Sequence, residues 1–234
     1  MTALSQRIAR VDLKWRLFCA ALVELAYVVA SRVIAANSNT ITEAEINRTP
    51  LRLGAAFLFW ILMRDVINAR TLNPSNTRSF SLFAILLLTL STPVLVGGYN
   101  VPLYDSIILA ITSIPVALSE EVFFRGIVQN LGVKQWGIVR GLALMIVLFM
   151  AFHIGVIRPD FFGYGQVALM ALILGVIYLK TGSLVTVIAL HAAYDALDSV
   201  PRFFAAPDRI WGLVLLIPAT LIAGIWMRPR AMTN

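Results

Sequence analysis

Long apolar stretches recur along the whole chain, and each is about as long as a helix that crosses a lipid bilayer. Such a helix needs about 20 apolar residues, within a range of about 17–25. Eight stretches meet or nearly meet this requirement: 17–35, 51–67, 80–97, 103–127, 137–154, 164–180, 183–199 and 209–227. The sequence therefore predicts an all-α, polytopic membrane protein with about eight transmembrane helices in one bundle, and a single integral membrane domain over residues 1–234.

Composition and charge agree with a membrane location. Charged residues make up 13% of the chain, against about 25% in an average soluble domain, and the mean hydropathy is +0.84. The net charge of +7 comes from Lys and Arg residues that lie between the apolar stretches or near their ends, which is typical of membrane-orienting charge and not of a nucleic-acid surface. With a cytoplasmic N-terminus, 13 of these residues fall inside and 6 outside. This asymmetry predicts a multi-pass protein of the cell (inner) membrane with both termini in the cytoplasm.

Ionisable residues inside the apolar stretches are the place to look for chemistry, because each charge at the centre of a membrane helix costs at least ~2.5–3.5 kcal/mol on insertion scales. The segment 119–125 reads SEEVFFR. Residues four apart share a helix face, whereas neighbours are turned by about 100°. We therefore predict that Glu121 is held by Arg125, while Glu120 faces a partner helix and is free to act. The alternative is that all three form a structural ion-pair cluster between helices.

The chain has only two histidines, and each lies late in an apolar stretch. His153 follows Phe149 at helical spacing in FMAFH, and His191 precedes Asp195 at the same spacing in HAAYD. Buried polar groups need partners, and these residues are the obvious partners of the glutamates. Together they would form a polar pocket within the bilayer, equipped to activate a water molecule for attack on an amide. Two further acids, Glu24 and Asp105, either add to this pocket or make helix contacts.

Three sequence motifs resemble those of a known family. EEVFFR fits EExxxR, FMAFH fits FxxxH, and HAAYD fits HxxxN/D of the CAAX protease and bacteriocin-processing (CPBP) family of glutamic-type intramembrane peptidases. The resemblance covers roughly residues 113–199, which we predict to be the catalytic core. It implies an intramembrane endopeptidase in which Glu120 activates the nucleophilic water with the help of His153. It also implies that His191 and Asp195 form the oxyanion site and that Glu121 and Arg125 support the geometry.

Two points in this interpretation need structural evidence. Many members of the family have asparagine where this chain has Asp195, and a carboxyl group donates a hydrogen bond only when it is protonated. The predicted spans also place His153 in the outer half of its helix and Glu120 in the inner half of its own. A break or kink at Pro115 would bring the two residues to the same depth.

The remaining alternatives concern metal, transport and loss of catalysis. Glu120, His153 and His191 could ligate zinc, but no HExxH motif is present and a carboxylate needs no metal to activate water, so we expect no cofactor. A proton-coupled transporter would also use intramembrane acids and histidines, and a non-catalytic immunity or assembly factor could share the fold. The expected partners are the lipid bilayer and a membrane-anchored or lipidated protein or peptide substrate, with no nucleic acid.

Overall fold

The computed structural model describes residues 11–67, 102–155 and 161–199, and their regular elements are all helical. A π-helical turn, Phe124–Gln129, joins the third and fourth α-helices. The α-helices are α1 (Leu13–Ala36), α2 (Ile41–Met63), α3 (Leu103–Phe123), α4 (Asn130–Phe152), α5 (Phe161–Thr181) and α6 (Leu184–Ser199). The all-α prediction is therefore confirmed for these residues. The predicted spans 80–97 and 209–227 lie outside them, so the number of about eight spans stays a prediction.

One side of α1 exposes a continuous row of large apolar side chains. They recur every three or four residues: Trp15, Phe18, Leu22, Leu25, Val29 and Val33. Such a row is costly in water, whereas the hydrocarbon of a bilayer covers it without penalty. Two helical stretches, Leu13–Ala36 and Leu103–Phe152, are long and apolar enough to cross a membrane. We therefore treat the chain as a membrane protein.

Helix α2 begins ten residues before the predicted span 51–67 because the sequence supplies a strong start signal there. The Thr40 side chain accepts a hydrogen bond from the Glu43 backbone N–H at 3.0 Å, and the Glu43 carboxylate accepts one from the Asn39 backbone N–H at 2.8 Å. The Thr40 side chain caps the helix, and Glu43 reaches back to the residue before the cap, an arrangement similar to a capping box. Arg16 of α1 forms an ion pair with Asp65, just after α2 ends, and so ties the two helices together.

The predicted break at Pro115 is wrong, because α3 runs through this residue as one helix. Proline removes one backbone hydrogen bond, but α3 is packed between α2 and α6, and neighbouring helices support such positions in membrane proteins. The Ser119 hydroxyl donates to the Pro115 carbonyl at 3.0 Å. The chain departs from α-helical geometry further along, in the π-helical turn.

The chain reverses direction at Gly137, inside α4. Gly137 has φ +81 and ψ +172, a conformation that favours glycine, and it divides α4 into two parts. On either side of it Gly132 and Gly141 touch: a Cβ atom built on Gly141 would lie 2.5 Å from the Gly132 carbonyl carbon. The result is a helical hairpin with a first arm over 103–136 and a second arm over 138–152.

Helices α5 and α6 complete the described part of the bundle. Gly175 brings α5 close to α4, since a Cβ atom there would lie 2.5 Å from the Leu142 side chain. Gly182, with φ +63, follows the end of α5, and its N–H bonds to the Tyr178 carbonyl at 2.8 Å. This left-handed glycine stops α5 and lets α6 begin two residues later. Helix α6 then packs along α3, so that the glutamates of α3 meet the histidine of α6.

Candidate active site

Glu121 and Arg125 form a fully buried ion pair on the first arm of the hairpin. The Arg125 Nη1 atom lies 2.9 Å from Glu121 Oε1, and both side chains have 0% of their surface exposed. Arg125 Nη2 also donates to the Ala171 carbonyl of α5 at 3.3 Å. The predicted contact between Glu121 and Arg125 is confirmed. Its geometry follows from the four-residue spacing, which the change from α-helix to π-helix at Phe124 leaves in place.

His191 of α6 lies between the two glutamates. Its Nδ1 atom is 2.7 Å from Glu121 Oε1, while its Nε2 atom is 3.9 Å from Glu120 Oε2 and 3.5 Å from Asp195 Oδ2. Glu120 therefore faces a partner helix, as its position beside Glu121 predicted. The direct contact between His191 and Glu121 was not foreseen, because the phase of one helix does not reveal which residue of another helix it meets.

The contact at Nδ1 assigns the protonation of the His191 ring. Arg125 holds Glu121 as an acceptor, so the proton of a neutral His191 ring resides on Nδ1. The Nε2 atom then presents a lone pair towards Glu120 and Asp195. A second proton on Nε2 would make the ring a hydrogen-bond donor on that side as well. The ring is thus oriented on one side by Glu121 and available for chemistry on the other.

Two carboxylate oxygens of the site are buried and unpaired. Glu120 Oε2 and Glu121 Oε2 make no hydrogen bond to any of the described residues, although Glu120 is only 6% exposed. A buried polar atom without a partner is costly, and in native proteins it often marks a functional group. Glu24 of α1 lies close enough to Glu120 for the two carboxyl groups to interact electrostatically. Asp105 is used elsewhere, since it accepts a hydrogen bond from Thr42 at 2.8 Å.

His153 reaches the cluster through the ring of Phe149. The centre of the Phe149 ring lies 4.7 Å from the Arg125 guanidinium carbon, 4.6 Å from the centre of the His153 ring and 6.2 Å from that of His191. The His153 Nδ1 atom bonds to the Phe149 carbonyl at 2.8 Å, which leaves Nε2 available. Five of the six predicted site residues thus lie in one connected cluster, and His153 adjoins it one aromatic ring away.

The hairpin places Glu120 and His153 at similar distances from the point where the chain reverses. Glu120 is 17 residues before Gly137, and His153 is 16 residues after it. At about 1.5 Å per residue, each lies about 25 Å from the reversal. Arg125 and Phe149, each 12 residues from Gly137, are likewise level and in contact. The sequence predicts a mismatch in depth because it places the end of this span at residue 127. In the structure the first arm continues to residue 136, and the mismatch disappears.

Sequence reasoning assigned no role to Phe149, although the FxxxH motif contains it. Its four-residue spacing from His153 placed the two on one face, but only the hairpin brings the ring over Arg125. Ser113 of α3 also went unnoticed. Its hydroxyl donates to the Ala192 carbonyl at 2.9 Å and so holds α6 against α3 next to His191. Within the described ranges, no three His, Cys, Asp or Glu side chains lie in an arrangement that could hold a metal ion.

The segment that carries this cluster matches the model of a known family. The profile of one family, described as type II CAAX prenyl endopeptidase Rce1-like, matches residues 102–197. Residues 102–197 therefore resemble the Rce1-like family and form the Rce1-like segment of the chain. The Rce1-like segment contains all six predicted site residues, together with Phe149 and the Gly137 reversal. No solved structure and no curated protein matches the chain. The family that this segment resembles is described as one of CAAX endopeptidases, that is, proteases.

Proposed function

We propose that the protein is an intramembrane endopeptidase in which Glu120 activates water for attack on a peptide bond. The observation that carries this proposal is the position of Glu120 Oε2, which is buried, 3.9 Å from His191 Nε2 and without a hydrogen bond to the described residues. Glu121 Oε2 is also unpaired, but Glu121 is held by Arg125 and His191 through its Oε1 atom, whereas Glu120 has an ion-pair contact only with His191 among the described residues. An unpaired carboxylate in an apolar surrounding is suited to accept a proton from water.

The chemistry balances with the side chains present. Glu120 takes a proton from the water while the water oxygen bonds to the carbonyl carbon, with His153 holding the water. The resulting oxyanion is stabilised by the His191 ring, when protonated at Nε2, and by the Asp195 carboxyl group, when protonated. Glu120 then returns its proton to the amide nitrogen, and the carbon–nitrogen bond breaks to give a carboxyl and an amine terminus. Glu121 and Arg125 take no part in proton transfer and hold His191 in place.

The substrate class follows from the location of the site. A cluster inside an apolar bundle is reached from the bilayer or its interface, so a membrane-anchored or lipidated protein terminus suits it. The description of the matched family points to prenylated CAAX termini. The distribution of Lys and Arg along the sequence supports a location in the cell (inner) membrane with both termini in the cytoplasm.

A direct cleavage assay tests this proposal. The protein is purified into lipid vesicles and mixed with a farnesylated CAAX peptide that carries a quenched fluorophore. We expect cleavage by the wild type and its loss in Glu120→Ala and His153→Ala. Glu43→Gln is the matched control, because the Glu43 carboxylate bonds to Asn39 in the loop before α2 and its substitution should leave cleavage intact.

A second experiment covers a substrate outside the prenylated class. Membrane proteomes of cells that express the wild type or Glu120→Ala are compared for new protein termini. Termini that appear only with the wild type would identify the substrate. If neither experiment detects cleavage, while proton flux depends on pH or membrane potential, the peptidase proposal is wrong and a transporter replaces it.

A further inference from the structure

His153 occupies a position that its own helix does not fix. It is the C-cap residue, directly after the last residue of α4. Its backbone N–H bonds to the Met150 carbonyl, three residues back instead of four, at 3.0 Å. The end of a helix frays unless other groups hold it. A histidine that must hold a water within hydrogen-bond distance of Glu120 therefore needs support from outside α4.

Helix α1 contacts the residue on each side of His153. Before it, the Phe152 ring is stacked on the Tyr27 ring with centres 6.1 Å apart and planes 14° apart. After it, the Ile154 carbonyl accepts a hydrogen bond from Arg32. Phe152 in turn contacts the His153 ring, with centres 5.2 Å apart. Both α1 residues lie outside the segment 102–197 that matches the Rce1-like family.

Two further features keep these contacts in place. Tyr27 is only 4% exposed, and its hydroxyl accepts a hydrogen bond from Arg52 Nε at 3.3 Å. Arg52 is itself paired with Glu45. On the other side, Gly155 has φ +76, and a Cβ atom built there would lie 2.8 Å from Arg32 Nη1. An alanine at this position would be strained by the positive φ, and its Cβ atom would require the Arg32 guanidinium to shift from its place beside the Ile154 carbonyl.

We propose that Tyr27 and Arg32 of α1 are positioning residues that hold the end of α4 from both sides and thereby fix His153 beside Glu120. The importance of this placement for catalysis rests on the function proposed above, whereas the placement itself does not. These contacts join α1, which lies outside the segment 102–197, to α4, which lies inside it. A misplacement of about 1 Å at a reacting group can reduce a rate by about 100-fold.

The two histidines offer a test that is independent of activity. The protein is produced with isotope-labelled histidine and without a histidine tag, and its imidazole signals are recorded by NMR. The chain contains two histidines, so two sets of signals are expected, which His153→Ala and His191→Ala assign. We expect Tyr27→Ala and Arg32→Ala to shift or broaden the signal of His153 and to leave that of His191 unchanged.

Matched variants separate this effect from a general loss of structure. Tyr27→Phe keeps the stacked ring and should keep the His153 signal, whereas Gly155→Ala should resemble Arg32→Ala. Val29→Ala alters a lipid-facing residue of the same helix, 55% exposed, and should move neither signal. Arg32 is partly exposed, so its variant should fold even if Tyr27→Ala does not. An unchanged His153 signal in Arg32→Ala and in folded Tyr27→Ala would overturn the proposal.

Kinetics with the farnesylated peptide supply the second measurement. Tyr27→Ala and Arg32→Ala should lower kcat by about 10- to 100-fold with little change in KM. Tyr27→Phe, which keeps the stacked ring, and Val29→Ala should keep the wild-type kcat. A loss of kcat in these two variants as large as in Tyr27→Ala would show a purely structural role. If the wild type cleaves no peptide, the proposed function fails, and the NMR result still decides whether α1 positions His153.

Discussion

Two clusters of buried or partly buried glutamate and arginine lie in the described part of the bundle, and their carboxylates differ in how fully they are paired. In the α1–α2 cluster, formed by Glu45, Arg48, Arg52 and Tyr27, each oxygen of Glu45 is paired with a different guanidinium group. In the site around Glu120 and Glu121, one oxygen of each carboxylate has no hydrogen bond to the described residues.

The difference separates two uses of charge in an apolar bundle. Paired carboxylates offset the cost of burying their partners, and nothing is left over for chemistry. The site around Glu120 has more acids than arginines, and its histidine faces both glutamates. Such an excess of acceptors suits proton transfer from water. The sequence alone left a structural ion-pair cluster as an alternative for Glu120, Glu121 and Arg125, and the unpaired oxygens count against it.

The same isosteric change in the two clusters should have opposite effects. Glu120→Gln removes the proton acceptor and should reduce kcat by about 10²–10⁴-fold, with stability unchanged or raised. Glu45→Gln leaves two guanidinium groups less well paired and should lower stability by about 1–3 kcal/mol, with little change in activity per folded molecule. Peptide cleavage and thermal unfolding in detergent measure both. A loss of stability without a loss of cleavage in Glu120→Gln would reverse the distinction drawn here.

Within the site, Glu121 shares one property with Glu45: its Oε1 atom is paired with an arginine, although its Oε2 atom is unpaired. Arg125→Met leaves a fully buried carboxylate without its cation and should lower stability by about 3–5 kcal/mol. Adding Glu121→Gln removes the stranded charge and should restore part of that loss. Thermal unfolding of the single and double variants measures this coupling. A double variant no more stable than Arg125→Met would mean that the pair does not act as a unit.

The two clusters also differ in how an aromatic residue contacts an arginine: Tyr27 accepts a hydrogen bond from Arg52, whereas Phe149 lies against Arg125 with the face of its ring. Its ring covers the Arg125 guanidinium and contacts both histidines. Phe149→Leu should cost up to about 2 kcal/mol of stability through loss of the cation–π contact, and it should lower kcat because both imidazoles lose a neighbour. Phe149→Tyr retains the ring and serves as the control. Equal cleavage rates in the leucine variant and the wild type would show that the Phe149 ring does not position the two imidazoles.

Contacts within one helix could be predicted from the sequence, whereas contacts between helices could not. Four-residue spacing placed Glu121 beside Arg125 and His191 beside Asp195, and both contacts are present. The helical period also predicted that Glu120 faces another helix. These conclusions depend only on the 3.6-residue period, which survives in the folded protein.

The depth of each residue depends on where the chain reverses, and local pattern did not reveal this. Gly137 was visible only as the first residue of a predicted span, so the first arm was expected to end too early. Because the hairpin brings Glu120 and His153 to similar depths, no kink at Pro115 is needed to explain their position. The contacts of Tyr27 and Arg32 with the end of α4 were equally hidden, because they join residues more than 100 positions apart.

Asp195 provides the mildest test of how the site differs from a structural cluster. Its carboxyl lies 3.5 Å from His191 Nε2, the side of the ring that faces Glu120. If Asp195 acts as a neutral donor to the oxyanion, Asp195→Asn supplies the same donor, and the cleavage rate should stay within about tenfold, or 1.4 kcal/mol of transition-state stabilisation. Asp195→Ala removes the donor and should cost more. If the asparagine variant is as inactive as the alanine variant, Asp195 acts as an ionised partner that orients His191. The Asp195 carboxylate would then have a pairing role similar to that of Glu45.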